Sequence, residues 1–419
     1  MTRFVSMPRL RHPLAAAALL LAAQGACAAV SFDYIGQAVL STSTTFAGTR
    51  VGGLSGIDYD AATQTYVAIS DDRSQYNPAH YYRMTLDYSQ FSRSNTAGTA
   101  GVQFTGVTTL RDPQGEPFGL NRVDGESIRL VRGANGPTLL WTNEGQRTGA
   151  GFQNPTLREA YLDGTHAREF SVPQTYLPVG TPGGQAAGDS GIRNNLAFES
   201  LTLSADGKSA YVATESALAQ DGGIATVDAG TQVRIARFDY ASGQRNAEYV
   251  YQLDAIPTAP VGGGSADNGL VELLAVGEGR LLALERSYAA GVGNNIRLYL
   301  TDTAGATDVA GLSSLAGAGF ASMQKTLLLD LGTLVNADGS ALKLDNVEGL
   351  TWGADHNGEK TLLLVSDNNF SGGQFTQFIA LGIHGDLAVT PVPEPSTYAL
   401  MLGGVALLAW QRRRAAVQR

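Results

Sequence analysis

A two-part unit recurs five times through the interior of this chain, and that repeat limits the fold more than any other feature. Its first part is a short strand pattern, at 54–59, 125–130, 198–203, 271–276 and 347–352. Ser55 holds its second position in the first copy, and Glu126, Glu199, Glu272 and Glu348 hold it in the others. The second part is an apolar strand ending in an acid or amide, at 66–71, 139–143, 211–215, 281–285 and 362–367. Turns such as Ala205-Asp206-Gly207-Lys208 and Asp355-His356-Asn357-Gly358 join the parts with hairpin chemistry. From Ser55 to Glu348 the second positions are 71, 73, 73 and 76 residues apart, a register that chance similarity would not keep.

A third strand follows each pair, at 80–88, 158–162, 233–240, 296–301 and 375–383, and a fourth follows in four units, at 102–111, 168–172, 247–253 and 325–331. The fifth unit lacks its fourth strand, while 32–40 is a strand without a unit. Both facts fit an all-β ring of four-stranded blades, a β-propeller, in which the N-terminal strand closes the last blade. The count is five blades, or six if 302–330 holds further strands; the competing architectures are a sandwich or a solenoid. With 51 glycines and a charged fraction of 16%, the composition suits short strands and many turns. The unit is longer than short propeller repeats, so loops carry the surplus, notably the Gly-rich 178–195, 220–231 and 257–268.

In such a ring the first strand of each blade lines the central channel. The recurring glutamates start these inner strands, and Asp71, Glu144, Glu215, Glu285 and Asp367 end the second strands. Antiparallel pairing brings both series to one end of the ring. Gathered carboxylates raise each other's pKa unless a cation sits among them, and hard oxygen ligands suit Ca²⁺ or Mg²⁺. The candidate metal ligands are Asp71, Glu126, Glu199, Glu215, Glu348 and Asp367. Zinc sites built on Cys or His are not expected: Cys27 is the only cysteine, and His80, His166, His356 and His384 are scattered. Arg73, Arg147 and Arg286 follow three of the strand exits and are the candidate anion-binding residues, since a guanidinium fork matches phosphate or carboxylate. The bland alternatives are that the glutamates only bond the backbone of the next blade, Glu272 above all because its neighbours are apolar, and that the arginines only pair with nearby acids.

The termini read as targeting segments. Residues 1–28 run from Arg3, Arg9 and Arg11 through an apolar stretch to Ala26-Cys27-Ala28, a secretory signal peptide. Gln24 stands where a lipoprotein signal carries Leu. At the other end, Val392-Pro393-Glu394-Pro395-Ser396 precedes an apolar stretch at 397–410 and then Arg412-Arg413-Arg414. A stretch that short suits transient inner-membrane anchoring better than a permanent span. These residues resemble the PEP-CTERM sorting signal, which implies processing by an exosortase and delivery to the periplasm, outer surface or extracellular matrix. The expected division is therefore 1–28, 29–391 and 392–419. Removing the ends takes away seven arginines and Glu394, leaving 22 basic and 37 acidic residues, a net −15 against −9 for the whole chain. Nucleic acid is excluded as a partner on that balance.

The interior resembles the phytase-like family named for the esterase-like activity of phytase. The likeness is carried by Gly53-Leu54-Ser55-Gly56-Ile57 with Ser70-Asp71-Asp72-Arg73, Asp124-Gly125-Glu126-Ser127-Ile128-Arg129, Asn194-Asn195-Leu196-Ala197-Phe198-Glu199-Ser200, Leu284-Glu285-Arg286-Ser287, and Asn346-Val347-Glu348-Gly349-Leu350 with Ser366-Asp367-Asn368-Asn369. It implies metal-dependent hydrolysis of a phosphate or carboxylic ester, with Ca²⁺ on the ring carboxylates and the arginines taking developing charge. The rival expectation is a noncatalytic binding or matrix propeller, delivered to the cell surface or exopolysaccharide, with a structural ion. Serine-esterase chemistry lacks a G-x-S-x-G elbow, and Gly188-Asp189-Ser190-Gly191 reads as an accident of a Gly-rich loop.

Overall fold

Every second strand in this chain is buried along most of its length, and Thr361–Asp367 is buried throughout. A sheet whose strands read as continuous apolar runs has both faces covered. The computed structural model, which describes residues 30–133 and 136–387, shows how. Five four-stranded antiparallel sheets form the blades of a propeller. The first blade is Leu54–Asp60, Thr65–Ser70, His80–Leu86 and Val102–Thr109. The second is Gly125–Gly133, Gly136–Asn143, Thr156–Tyr161 and His166–Glu169. The third comprises Phe198–Leu203, Ser209–Thr214, Thr231–Asp239 and Gln244–Leu253; the fourth, Ala266–Gly277, Arg280–Ala289, Gly293–Asp302 and Gln324–Asp330. Asn346–Trp352, Thr361–Asp367 and Phe375–His384 make the fifth, completed by Ser31–Ser41. That N-terminal strand pairs antiparallel with Phe375–His384, Phe32 opposite Ile383 and Leu40 opposite Thr376. The closure expected from the spare strand is thus present.

Between each pair of neighbouring blades lies one apolar layer. Alternation along the second strands feeds two layers at once: in the fifth blade Leu362 and Leu364 pack toward the fourth with Leu284 and Leu298, whereas Leu363 and Val365 pack toward the first with Tyr66 and Ala68. The other junctions are built likewise, around Phe198 and Phe238, Tyr251 and Leu281, and Ile128 and Trp141. Deleting a large buried side chain from such a layer costs about 2–5 kcal/mol. The 302–330 segment adds only the fourth blade's outer strand. Its remainder lies along the outer strand of the third blade, where Val309 N donates to Glu248 O (2.8 Å) and Met323 N to Val250 O (2.8 Å), with Val309 and Leu315 packed on Val250. Among the described residues the ring therefore has five blades.

Candidate functional site: a carboxylate-lined cavity at one end of the ring

The start of each inner strand pairs with the end of its second strand: Leu54 with Ser70, Gly125 with Asn143, Phe198 with Thr214, Leu270 with Glu285, and Val347 with Ser366. Immediately beyond, the register slips in all five blades, at Ser55, Glu126, Glu199, Val271 and Glu348; in the second blade the irregularity also takes in Ser127. A bulge re-aims a side chain that regular pairing would send elsewhere. One residue beyond the paired position, the second strands give Asp71, Glu144, Glu215, Arg286 and Asp367. These two series meet at one end of the ring, as the antiparallel pairing required.

They surround a cavity of about 240 Å³ lined by Asp71, Glu126, Glu144, Glu199, Glu348 and Asp367, with Arg73 and Arg286 in its wall. Asp124 and Glu215 stand beside these carboxylates. Asp71, Asp124 and Glu126 each bring one oxygen within 4.8 Å of the others, and Glu144, Glu199 and Glu215 do the same. All eight carboxylates are buried except Asp71, which is partly so. Burial raises every one of their pKa values: Glu126, Glu144, Glu199, Asp71 and Asp367 stand well above the carboxylate range, with neighbouring carboxylates adding to the rise. Glu215 is pushed up to about 7 by burial, against the pull of Arg286. Asp124 and Glu348 are raised less, because Arg73 and Arg286 respectively oppose burial.

The arginines are already engaged. Arg73 pairs with Asp124, lies 3.6 Å from Glu144 Oε2, and donates to Asn195 Oδ1 at 2.6 Å. Arg286 bonds Glu215 at 3.0 Å and Asp267 at 2.5 Å and reaches Glu348 at 3.4 Å. Two cations against eight carboxylates leave most of the negative charge uncompensated. Asp71 Oδ1, Asp124 Oδ1 and Glu199 Oε2 are buried with no hydrogen-bond partner in the protein, and such atoms are costly unless something else satisfies them. An oxygen-rich donor set of this kind fits a hard divalent cation. The buried acidic clusters could therefore hold a metal.

Two sequence expectations come out differently. The sequence repeat places the fourth blade one residue out of register: its bulge falls on Val271, so Glu272 occupies the place of Gly56, Ser127, Ser200 and Gly349. A one-residue slip reverses the face a side chain meets. Glu272 is accordingly fully buried inside the ring, 2.9 Å from Arg129 Nη2, and accepts from Leu201 N at 3.0 Å, the bond to a neighbouring blade's backbone that its apolar neighbours suggested. Glu285 is displaced likewise; it accepts from Tyr251 Oη at 2.7 Å and Lys325 Nζ at 2.6 Å, away from the cavity. The fourth blade thus offers Val271 and Arg286 where the others mostly offer carboxylates. Arg147, expected to bind an anion, does not line the cavity. Its buried guanidinium donates to the carbonyls of Thr181, Ser190, Ile192 and Val179 at 2.7–3.0 Å, clamping the Gly-rich loop. Asp189 in that loop accepts from Thr181 N and Ala186 N and lies 3.5 Å from Arg147 Nη2, a role in holding the loop for the Gly-Asp-Ser-Gly tetrapeptide. Asp124 and Asn195 carry the family likeness without being among the expected ligands or anion-binding residues; their signal is their place just before an inner strand, in line with Gly53, Gly269 and Asn346 for Asp124.

Residues 49–370, a span holding every carboxylate of the ring, match the phytase-like family, described by the esterase-like activity of phytase. The chain belongs to this phytase-like family. Residues 391–415 match the PEP-CTERM protein-sorting motif, which implies an exported, exosortase-sorted protein of the cell surface. That motif, the 397–410 stretch and the expected 1–28 signal peptide lie outside the described residues, among which no helix is long and apolar enough to cross a membrane. No curated protein matches this phytase-like chain. Among solved structures it is similar to the Dos1 propeller, at 6% identity and TM-score 0.32 over 80% of this chain and 68% of that one. It is similar to an exo-beta-1,3-galactanase from Phanerochaete chrysosporium, solved with beta-1,3-galactotriose, at 12% and 0.41 over 82% and 64%. A third is the periplasmic gluconolactonase PpgL of Pseudomonas aeruginosa, at 12% and 0.33 over 82% and 94%.

Proposed function

We propose that this phytase-like protein is an exported, divalent-cation-dependent hydrolase of phosphate or carboxylic esters, with Ca²⁺ as the ion its oxygen donors suit best. The observation that supports this most is the set of buried carboxylate oxygens without a protein donor, on Asp71, Asp124 and Glu199, facing or adjoining one cavity. Asp71, Glu126, Glu199, Glu215, Glu348 and Asp367, joined by Asp124 and Glu144, would hold the cation. A bound divalent ion supplies Lewis acidity toward an ester oxygen and acidifies a water.

The chain's own residues would do the rest. Arg73 keeps 29% of its side chain exposed at the cavity and presents the more accessible cation; Arg286 keeps 12%. Both can turn donors toward an anionic group while staying held by Asp124 and Glu215. Asn195 fixes the Arg73 fork by accepting from Nη2. Arg147 keeps the 178–195 loop in place at a distance from the chemistry. Removal of 1–28 and sorting through 392–419 would leave 29–391 as the working portion, at the outer surface or in the extracellular matrix.

A noncatalytic propeller with a structural ion is the second reading, and one observation favours it: both cavity arginines already carry ion pairs to ring carboxylates. Hydrolysis of phosphate and acyl esters by the purified protein, with Ca²⁺ or with a chelator, separates the two. Turnover that requires Ca²⁺ supports the hydrolase; Ca²⁺-dependent stability without turnover of either ester class supports the scaffold.

A further inference from the structure

At the rim of the acidic cavity stand two aromatic side chains that the carboxylate chemistry does not use. Tyr76 and Phe370 both line it, their ring centroids 4.7 Å apart at an interplanar angle of 35°. Tyr76 is 54% exposed. Each comes from a loop that also supplies cavity residues, Tyr76 three residues after Arg73 and Phe370 three after Asp367.

The pair is held in place rather than left to drift. Buried Asp72 accepts from Tyr76 N at 2.7 Å and from Asn77 N at 2.6 Å, which shapes the loop that raises Tyr76. Phe370 adopts φ 50°, a conformation that is an outlier for a bulky residue. Its ring lies against Gly52 and Gly53, where an added Cβ would come within 2.9 and 2.8 Å of it. Arg50 ties both loops together: its Nη2 donates to Phe370 O at 2.6 Å, and its guanidinium carbon lies 4.8 Å from the Tyr76 ring centroid and 5.4 Å from that of Phe370. Strained backbone held by its surroundings clusters at ligand sites, and an amphipathic ring kept rigid offers contact area at little entropic cost.

We propose that Tyr76 and Phe370 form a stacking subsite for a planar aromatic ring on the ligand, so that the preferred ligand carries such a ring next to the anionic group taken by the cavity. This deepens the hydrolase reading and rests on its anion site. The cavity is too polar to hold the ring itself, and the platform adjoins it at the side of Asp71 and Asp367. A flat ring lies over offset aromatic faces, whereas a puckered saturated ring cannot make the same contact.

The test is a ligand-observed NMR titration of the Ca²⁺-loaded protein with phenyl, cyclohexyl and methyl phosphate, recorded over a time in which no free phosphate accumulates. Phenyl phosphate is expected to bind about tenfold more tightly than methyl phosphate, the order of one aromatic contact, with cyclohexyl phosphate between the two because it buries apolar surface without the stacking. Tyr76→Ala should remove the phenyl preference and Tyr76→Phe should keep it, while methyl phosphate binding stays unchanged in both. Phe370→Ala should act like Tyr76→Ala; because Phe370 packs on the Gly52–Gly53 backbone and could disturb folding, exposed Tyr76 carries the decision. Equal binding of phenyl and methyl phosphate, or a preference that survives Tyr76→Ala, overturns the subsite alone. A cyclohexyl preference equal to phenyl overturns its planarity. Failure of all three to bind removes the anion site, and the subsite with it.

Discussion

Arg129 and Glu272 meet at 2.9 Å in the interior of the ring, both buried, and between them they touch the inner strand of every blade. Arg129, from the second blade, donates to Ile57 O, Leu273 O and Leu350 O. Glu272, from the fourth, accepts from Ser127 Oγ and Leu201 N. Removing one member strands a buried charge, at a cost of about 3–5 kcal/mol. Glu272→Ala should lose that much in urea denaturation, and Glu272→Gln less, since an amide can still accept hydrogen bonds. A loss below about 1 kcal/mol for Glu272→Ala would show that the pair does not hold the ring together.

Gly269 lies where a Cβ would fall 2.2 Å from Glu215 Oε1. Gly269→Ala must therefore push Glu215 off Arg286, to which it now bonds at 3.0 Å. Supporting contacts of this kind are worth roughly 10–100-fold in metal affinity. Calorimetric Ca²⁺ titration of Gly269→Ala should show a loss of at least about tenfold with the fold retained. Unchanged affinity would place the ion away from Glu215.

The arginines should separate by role. Arg147→Ala frees four loop carbonyls and should expose 178–195 to limited proteolysis, while anion binding per folded molecule persists. Arg73→Ala should weaken anion binding and leave that loop resistant. A loss of anion binding in Arg147→Ala with the loop still protected would return Arg147 to the site.

Acidity gives a further check with a definite sign. The ring carboxylates have folded-state pKa values raised above their unfolded values, so the metal-free folded state binds more protons between the two. The stability they contribute is fully present below the ordinary carboxylate range and falls as pH climbs through the raised values, about 7 for Glu215. Melting of chelated protein should thus decline from pH 5 to pH 8, and added Ca²⁺ should restore it most at pH 8. A chelated protein that grows more stable over that window would mean the ring is not an uncompensated carboxylate cluster.

Much of this was legible in the chain. Strand count, blade order and closure followed from a repeat that every blade must keep to pack against two neighbours. Asp71, Glu126, Glu199, Glu215, Glu348 and Asp367 come together because register carries them to one end. The fourth blade misled for a physical reason: its bulge sits one residue earlier relative to glutamate, and a pattern of letters does not reveal where a ladder slips. Glu272 and Glu285 kept the motif while facing elsewhere, and Arg286 took the vacated position. Arg147 looked like its neighbours in sequence, yet what it binds depends on how a distant glycine-rich loop folds back. Tyr76 and Phe370 carried no repeating signal, since their conjunction is made by two loops 294 residues apart in the chain.

The central claim, that the carboxylate ring is a divalent-cation site, is tested most directly by thermal melting of wild type and the Glu126→Gln/Glu199→Gln double variant, each in Ca²⁺ and in chelator. Wild type should melt higher in Ca²⁺. The double variant, relieved of two mutually repelling buried charges, should exceed wild type in chelator and gain nothing from Ca²⁺. A wild-type melting temperature indifferent to chelation, or a double variant that keeps the full Ca²⁺ gain, would contradict the claim.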